Sequence, residues 1–375
     1  MKKILLCLCA ILLVCSACAP RESYEANFVE MGIPLRDVYP EGGVERTTWC
    51  IEYYDGALYI GSGDYDVNRG PVNMAHHDLA KSEWKIDGQA NDEQIERFYN
   101  FDGTLYAVGY DSRSSWDFGN YYTCTEMGKW KTHNTLPNGV HNFDMIMFEG
   151  KIFAGLGVLE GNAPIVMSAD QETWVPMFLW KDGALRKTYD GNFIRVYDFF
   201  VLNGELYAFF LLSSNVEKAR EIYKYDGKRF VYHSDMPANI SYAKSSKYVY
   251  FNEKVEFKGA EYMATGDLYK TTDMITAQRV DLGETVEVAD LRIVGDSLYL
   301  LCNEAIDPEN VNAGFRISVK KTKDGNEYQE LFYFEYPVRA MSFTHNKKTF
   351  YFGMGNGAAD KGNYNENGMV LSVKY

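Results

Sequence analysis

The chain is short of positive charge. Its 375 residues carry 38 Lys and Arg against 52 Asp and Glu, a formal charge of −14. That balance excludes nucleic acid and anionic surfaces as bulk partners and leaves open only a local basic pocket. Metal ligands are equally scarce. There is no Cys-x-x-Cys spacing, and the adjacent His76 and His77 face opposite sides of any strand that carries them. The sequence has no nucleophile elbow, phosphate-binding glycine loop or zinc motif, and no spacing of Asp and Glu marks a catalytic pair. No long helical pattern stands out; residues 92–97 read as at most a short helical turn. The apolar run at residues 4–14 is too short to span a membrane with proper flanks.

That run, with Lys2 and Lys3 before it, reads as a secretory signal. The junction Cys15-Ser16-Ala17-Cys18 resembles a bacterial lipoprotein signal, with Cys15 where leucine is usual. The resemblance implies cleavage before Cys18, lipidation of Cys18, and attachment to a membrane of the bacterial cell envelope through that lipid alone. An ordinary signal peptide is the alternative. Residues 1–17 are then the signal, 18–27 a polar tether and 28–375 a single domain. Loss of Lys2 and Lys3 takes the charge from −14 to −16. Of seven cysteines, Cys7, Cys9 and Cys15 leave with the signal and Cys18 takes lipid. Cys50, Cys124 and Cys302 remain within apolar runs and read as buried free thiols, with one disulfide still open in an exported protein.

What the chain has in quantity is a repeat. Tyr53-Tyr54-Asp55-Gly56-Ala57-Leu58-Tyr59 is an apolar run, an Asp-Gly turn and a second apolar run. Asp-Gly supplies the positive φ angles of a two-residue hairpin. The unit recurs around Gly103, Gly150 and Gly204, so the turn glycines are 47, 47 and 54 residues apart. Weaker copies lie at Phe251-Asn252-Glu253-Lys254-Val255, at Val294-Gly295-Asp296-Ser297-Leu298 and at His345-Asn346-Lys347-Lys348-Thr349. Each first hairpin is followed by a polar loop and a second strand pair. A period of roughly 40–50 residues is that of a propeller blade. The expectation is all-β: a seven-bladed β-propeller of four-stranded antiparallel blades. Residues 28–35 should supply the missing outer strand of the last blade, so that N- and C-terminal strands close the ring.

Ser168-Ala169-Asp170-Gln171-Glu172-Thr173-Trp174 resembles the Asp-box turn, Ser-x-Asp-x-Gly-x-Thr-Trp, of bacterial sialidases and related propellers, shortened by one residue and lacking its Gly. Looser versions are Thr322-Lys323-Asp324-Gly325-Asn326-Glu327-Tyr328, Tyr225-Asp226-Gly227-Lys228-Arg229-Phe230 and Thr125-Glu126-Met127-Gly128-Lys129-Trp130. In that family the box is a structural turn away from the catalytic centre, so the resemblance implies fold and carries no activity.

In a propeller the inner strand of each blade starts on the top face, where the loops after the second strands also emerge. Three of those loops are long: 61–71, 109–120 and 353–368, in blades 1, 2 and 7, which are neighbours once the ring closes. They offer Asp64, Tyr65, Asp66, Asn68, Arg69, Asp111, Arg113, Trp116, Asp117, Asn120, Asn356, Asp360 and Tyr364 as one ligand-binding patch. Aromatic faces would stack on sugar rings while amides and carboxylates bind hydroxyls. Solvated loops held by their own Asx turns are the plain alternative. Asp64, Asp66 and Asn68 have the alternate spacing of a calcium loop, but Gly falls one residue late and Ala75 stands where the twelfth-position Glu belongs. No cofactor is expected beyond that candidate. His141, at the start of the third inner strand, is a candidate general base or a structural histidine, with Asp144 and Arg113 as its catalytic companions. Arg46, Arg97, Arg195, Arg292 and Arg339 would form a carboxylate clamp if three or more converged on the channel; structural pairing with Asp198 or Asp290 is the equal alternative.

These features admit three functions. The first is a surface-anchored glycan-binding propeller. The second is a carbohydrate-active enzyme, either a sialidase-like hydrolase or a polysaccharide lyase. The third is an envelope interaction scaffold. Converging arginines would favour an enzyme for acidic sugars; aromatics around a cleft without a paired acid and base would favour a binder.

Overall fold

The structure, a computed structural model, describes residues 23–67, 69–114, 116–159, 161–186, 194–213, 218–241, 251–357 and 364–375. Asp55 and Gly56, Asp102 and Gly103, Glu149 and Gly150, Asn203 and Gly204, and Lys258 and Gly259 all have positive φ, as a type I′ hairpin requires. Each turn joins an inner strand to the second strand of its blade. The inner strands are Cys50–Tyr54, Asp92–Phe101, His141–Phe148, Ile194–Leu202, Glu253–Phe257, Glu287–Val294 and Arg339–Asn346, which makes seven blades among the described residues. Each inner strand contacts the next, and Arg339–Asn346 contacts Cys50–Tyr54, so the ring is complete.

Closure uses the N-terminal segment twice. Phe28–Gly32 pairs antiparallel with Val370–Lys374 as the outer strand of blade 7, where the sequence places it. Tyr24–Glu25 pairs parallel with Phe332 and Tyr333, giving blade 6 a fifth strand. This corrects the uniform four-stranded expectation, and the tether as well: Ala26, within it, is buried against the blade 6 core. Blade 4 is also extended, by Leu179–Lys181 lying parallel to Phe230–Asp235.

Two further expectations fail. Residues 92–97 form inner strand, and their polar side chains are buried, Arg97 in the channel. A run of polar residues with one Ile hides the period-2 signal of a strand whose buried face is itself polar. The blade 5 turn is at Lys258-Gly259, and Phe251-Asn252-Glu253-Lys254-Val255 is the approach to and start of its inner strand.

Apolar faces of neighbouring blades pack together, with Phe153, Phe199 and Phe230 among the largest fully buried rings. Cys50, Cys124 and Cys302 are buried and free. The Asp-box turn has its geometry: Asp170 Oδ1 accepts the Glu172 and Thr173 N–H groups at 2.9 and 2.7 Å, and Trp174 is buried beneath. Asp273 and Asp324 repeat it in blades 5 and 6.

Candidate functional site

On the top face, the starts of the inner strands of blades 3 and 4 meet the loops of blades 1 and 2. Tyr65, Tyr110, Phe143 and Tyr197 form a continuous aromatic chain, with successive ring centroids 6.2, 5.5 and 4.3 Å apart. His141 stacks on Phe143 at 5.1 Å. Both rings need Gly157 beside them, because a Cβ there would lie 2.6 Å from His141 and 2.9 Å from Phe143. Asp111, at positive φ, brings Oδ1 to 3.2 Å from His141 Nδ1. Arg195 donates to the Tyr197 hydroxyl at 3.1 Å. Burial and then the Arg195 charge push His141 down to about 3, so its imidazole is neutral near pH 7. Burial raises Asp111, with Arg195 opposing. Burial likewise raises the Tyr65 and Tyr197 phenols, which stay protonated donors.

The remaining loop residues divide. Arg69 and Arg113 are partnered by Glu45 at 2.6 Å and Glu93 at 3.3 Å. Asp64 is buried and its Oδ1 accepts the Asp66 N–H at 3.2 Å, which closes the short 3-10 turn Tyr65–Val67. Asp66, Trp116 and Asp117 are exposed, Trp116 to 52%. Three of the expected ligand residues have structural surroundings instead. Asn120 is buried and donates to Asp92, Ser112 and the Asn91 carbonyl. Asn356 is buried, donates its N–H to Asn367 Oδ1 and accepts from Thr47 through its carbonyl. Tyr364 packs against Val44, Trp49 and Met341, while its carbonyl accepts from Arg46. In each case the residue serves contacts within the propeller, which a sequence cannot separate from a ligand loop. Asn68, Asp360 and Cys18 lie outside the described residues. Among the described residues, no group of three His, Cys, Asp or Glu is placed to hold a metal.

Asp144 does not join His141. It enters the channel, where it completes a buried quartet with Arg97, Asp198 and Lys254. Arg97 lies 2.8 Å from Asp198 and 3.4 Å from Asp144; Lys254 lies 2.9 Å from Asp144 and 3.1 Å from Asp198. The Tyr99 hydroxyl donates to Asp144. Arg97 also donates to the carbonyls of Phe143, Tyr197 and Phe251, so one side chain ties blades 2, 3, 4 and 5. Register shifts at Phe143 and at Tyr197, one in each inner strand, set the Asp side chains in this register. The five arginines therefore do not converge. Arg46 binds the carbonyls of Tyr364 and Asn365, Arg292 pairs with Glu52, and Arg339 with Glu287 at 3.0 Å. The pairing of an inner-strand arginine with Asp198 was expected and is the Arg97 contact, but sequence reasoning missed Lys254 as its companion and Tyr110 and Tyr197 as part of the site; two aromatics near the starts of successive inner strands, Phe143 and Tyr197, were the available signal.

No protein-family model matches the chain, and no curated protein does. Among solved structures, virginiamycin B lyase from Staphylococcus aureus is similar over 94% of this chain and all of its own, with 10% identity and a TM-score of 0.53. A catalytically inactive variant of that lyase, with quinupristin, gives 9% identity and a TM-score of 0.51 over the same shares. An α-L-arabinofuranosidase of Fusarium graminearum with arabinobiose gives 13% identity and 0.43 over 73% of this chain and 91% of its own. At such identities the first two likenesses concern the fold alone: this chain is an all-β propeller of the architecture found in that lyase.

Proposed function

We propose that this chain is an exported, lipid-anchored seven-bladed propeller that binds a neutral glycan on its top face. The observation that carries the reading is the aromatic chain from Tyr65 to Tyr197, set beside the polar groups Asp111, His141 and Arg195. The half-buried Tyr65 and Tyr197 rings, backed by the buried Tyr110 and Phe143, take the apolar face of a sugar ring, and protonated phenols, a carboxylate and a neutral imidazole bind its hydroxyls. Arg69 and Arg113 have carboxylate partners already, so an acidic sugar has few cations to meet and a neutral one is preferred. Lipid anchoring at Cys18 rests on the signal-like segment before it.

A second reading is supported by the 3.2 Å approach of Asp111 to His141 Nδ1. A carboxylate there orients a neutral imidazole so that Nε2 serves as a base, with Arg195 and Tyr197 available to stabilise developing charge. That is a lyase or hydrolase on the same site.

The test incubates the chain from Ala19 onward with neutral, sialylated and uronic-acid glycans and follows products by mass spectrometry and retention of intact ligand. Retention of neutral glycans without turnover, weakened about tenfold or more by Tyr65→Ala, is expected. Products that disappear in His141→Ala would replace the binding reading with the enzymatic one. Neither retention nor products across the panel would leave the scaffold function.

A further inference from the structure

Blade 5 breaks the repeat at two core positions. Five residues before the second turn residue, the other inner strands carry Ile51, Phe98, Met145, Phe199, Leu291 and Phe343. Blade 5 has Lys254 there. Two residues after the turn, the other blades carry Leu58, Leu105, Ile152, Leu206, Leu298 and Phe350; blade 5 has Glu261, paired across from Glu256. Both are on the blade face that elsewhere packs apolar side chains. Glu261 is only 2% exposed, and its Oε2 is buried with no hydrogen-bond partner.

These residues line a cavity of about 290 Å³ near the hairpin ends of the inner strands, on the face opposite Tyr65 and His141. The stacked rings of Tyr99 and Phe101, 5.4 Å apart, form one wall, and Glu253 and Glu256 join Glu261 at its polar side. Within the quartet, the two positive charges of Arg97 and Lys254 meet the two negative charges of Asp144 and Asp198. The three glutamates are left over. An unbonded carboxyl in a position built for Leu is unfavourable in the empty protein, and a cationic donor is the partner it lacks.

We propose that this cavity is a second ligand site, which takes a small organic ammonium: the cation between Glu261, Glu253 and Glu256, its apolar body against Tyr99 and Phe101. Burial holds the Glu261 carboxyl well above the usual carboxylate range, so it is neutral in the empty cavity and ionises when a cation arrives; an anion would instead face the Glu253 and Glu256 carboxylates. A neutral polyol would supply no charge to the glutamates. The aromatic wall adds cation–π attraction and excludes water from the cation.

The experiment uses the full-length chain and titration calorimetry with thermal melting. The probes are methylammonium, agmatine and phenethylamine, with phenylacetate and glucose as controls. Binding of at least one amine, strongest for phenethylamine, with neither control binding in competition, is expected. Glu261→Gln should weaken it tenfold or more while keeping the fold. Glu261→Leu, which restores the residue type of other blades, should melt above the parent without ligand and show no amine binding. Tyr65→Ala should leave amine binding unchanged, which separates this site from the top face. No binding by any amine, competition by phenylacetate, or unaltered amine binding in Glu261→Leu would each overturn the proposal.

Discussion

Replacing Arg97 by Met removes the cation at the centre of the ring while keeping its length. Asp198 loses its 2.8 Å partner and Asp144 its 3.4 Å one, and both must share Lys254. The Phe251 carbonyl loses a 2.9 Å donor, and those of Phe143 and Tyr197 lose weaker ones at 3.4 Å. Breaking a buried ion pair from one side costs about 3–5 kcal/mol. The carbonyls add about 1 kcal/mol for the one good bond. The sum, about 4–6 kcal/mol, translates at roughly 2 °C per kcal/mol for a large domain into a melting point about 8–12 °C lower. Calorimetric melting of the single variant and of Arg97→Met with Asp198→Leu tests the origin of the loss. In the double variant Lys254 and Asp144 remain a one-to-one pair, so it should recover at least half of the deficit. A single variant within about 1 kcal/mol of the parent would refute the reasoning. So would a double variant no more stable than the single, because the charges would then not act as a unit.

Asp92, buried beside Asn120 and Tyr122, gives a pH prediction. Burial raises its carboxyl to about 7 against the hydrogen bonds of Tyr122 and Asn120, and the charges of Asp111 and Glu93 add to the rise. Between about pH 4 and 7 the folded chain therefore holds a proton that the unfolded chain has lost, and this site's contribution to stability falls as pH rises through that window. Asp92→Asn should melt several degrees higher than the parent at pH 8 and no higher at pH 4; equal melting points at pH 8 would refute the assignment. For the anchor, Cys18→Ala should move the chain from the membrane fraction to the soluble extracytoplasmic one, and a variant still retained in membranes would exclude lipidation at Cys18.

Much of the fold was written locally. Asp55-Gly56, Asp102-Gly103 and Asn203-Gly204 adopt the backbone angles their chemistry favours, and the hairpins follow from them. The missing outer strand of blade 7 was legible because the last hairpin leaves its blade one strand short. Blade 5 was misplaced for a physical reason. Lys254 and Glu261 interrupt the apolar–turn–apolar pattern, so the true turn at Lys258-Gly259 had no recognisable flanks. The site was harder to read. The neighbourhood of His141 and the blade 2 loop could be inferred from blade order, and the 3.2 Å contact with Asp111 lies there. Whether an Asn or Tyr in such a loop faces a ligand or the fold depends on contacts between distant segments, as Thr47 with Asn356 and Tyr364 with Trp49 illustrate. Four of the arginines failed for the same reason: Arg46, Arg97, Arg292 and Arg339 meet carbonyls or carboxylates that only the assembled ring brings near, while Arg195 donates to the Tyr197 hydroxyl of its own strand.

The two N-terminal strands also set an order of events. Phe28–Gly32 and Tyr24–Glu25 are made long before their partners, Val370–Lys374 and Phe332–Tyr333. Contacts spanning nearly the whole chain carry a large loop-closure cost and form slowly. Until the final blade arrives, the early strands have no partners and the growing arc has two open edges. The propeller therefore closes only once blade 7 has been made, and a delay there exposes its edges to other chains before Phe28–Gly32 and Tyr24–Glu25 can cover them.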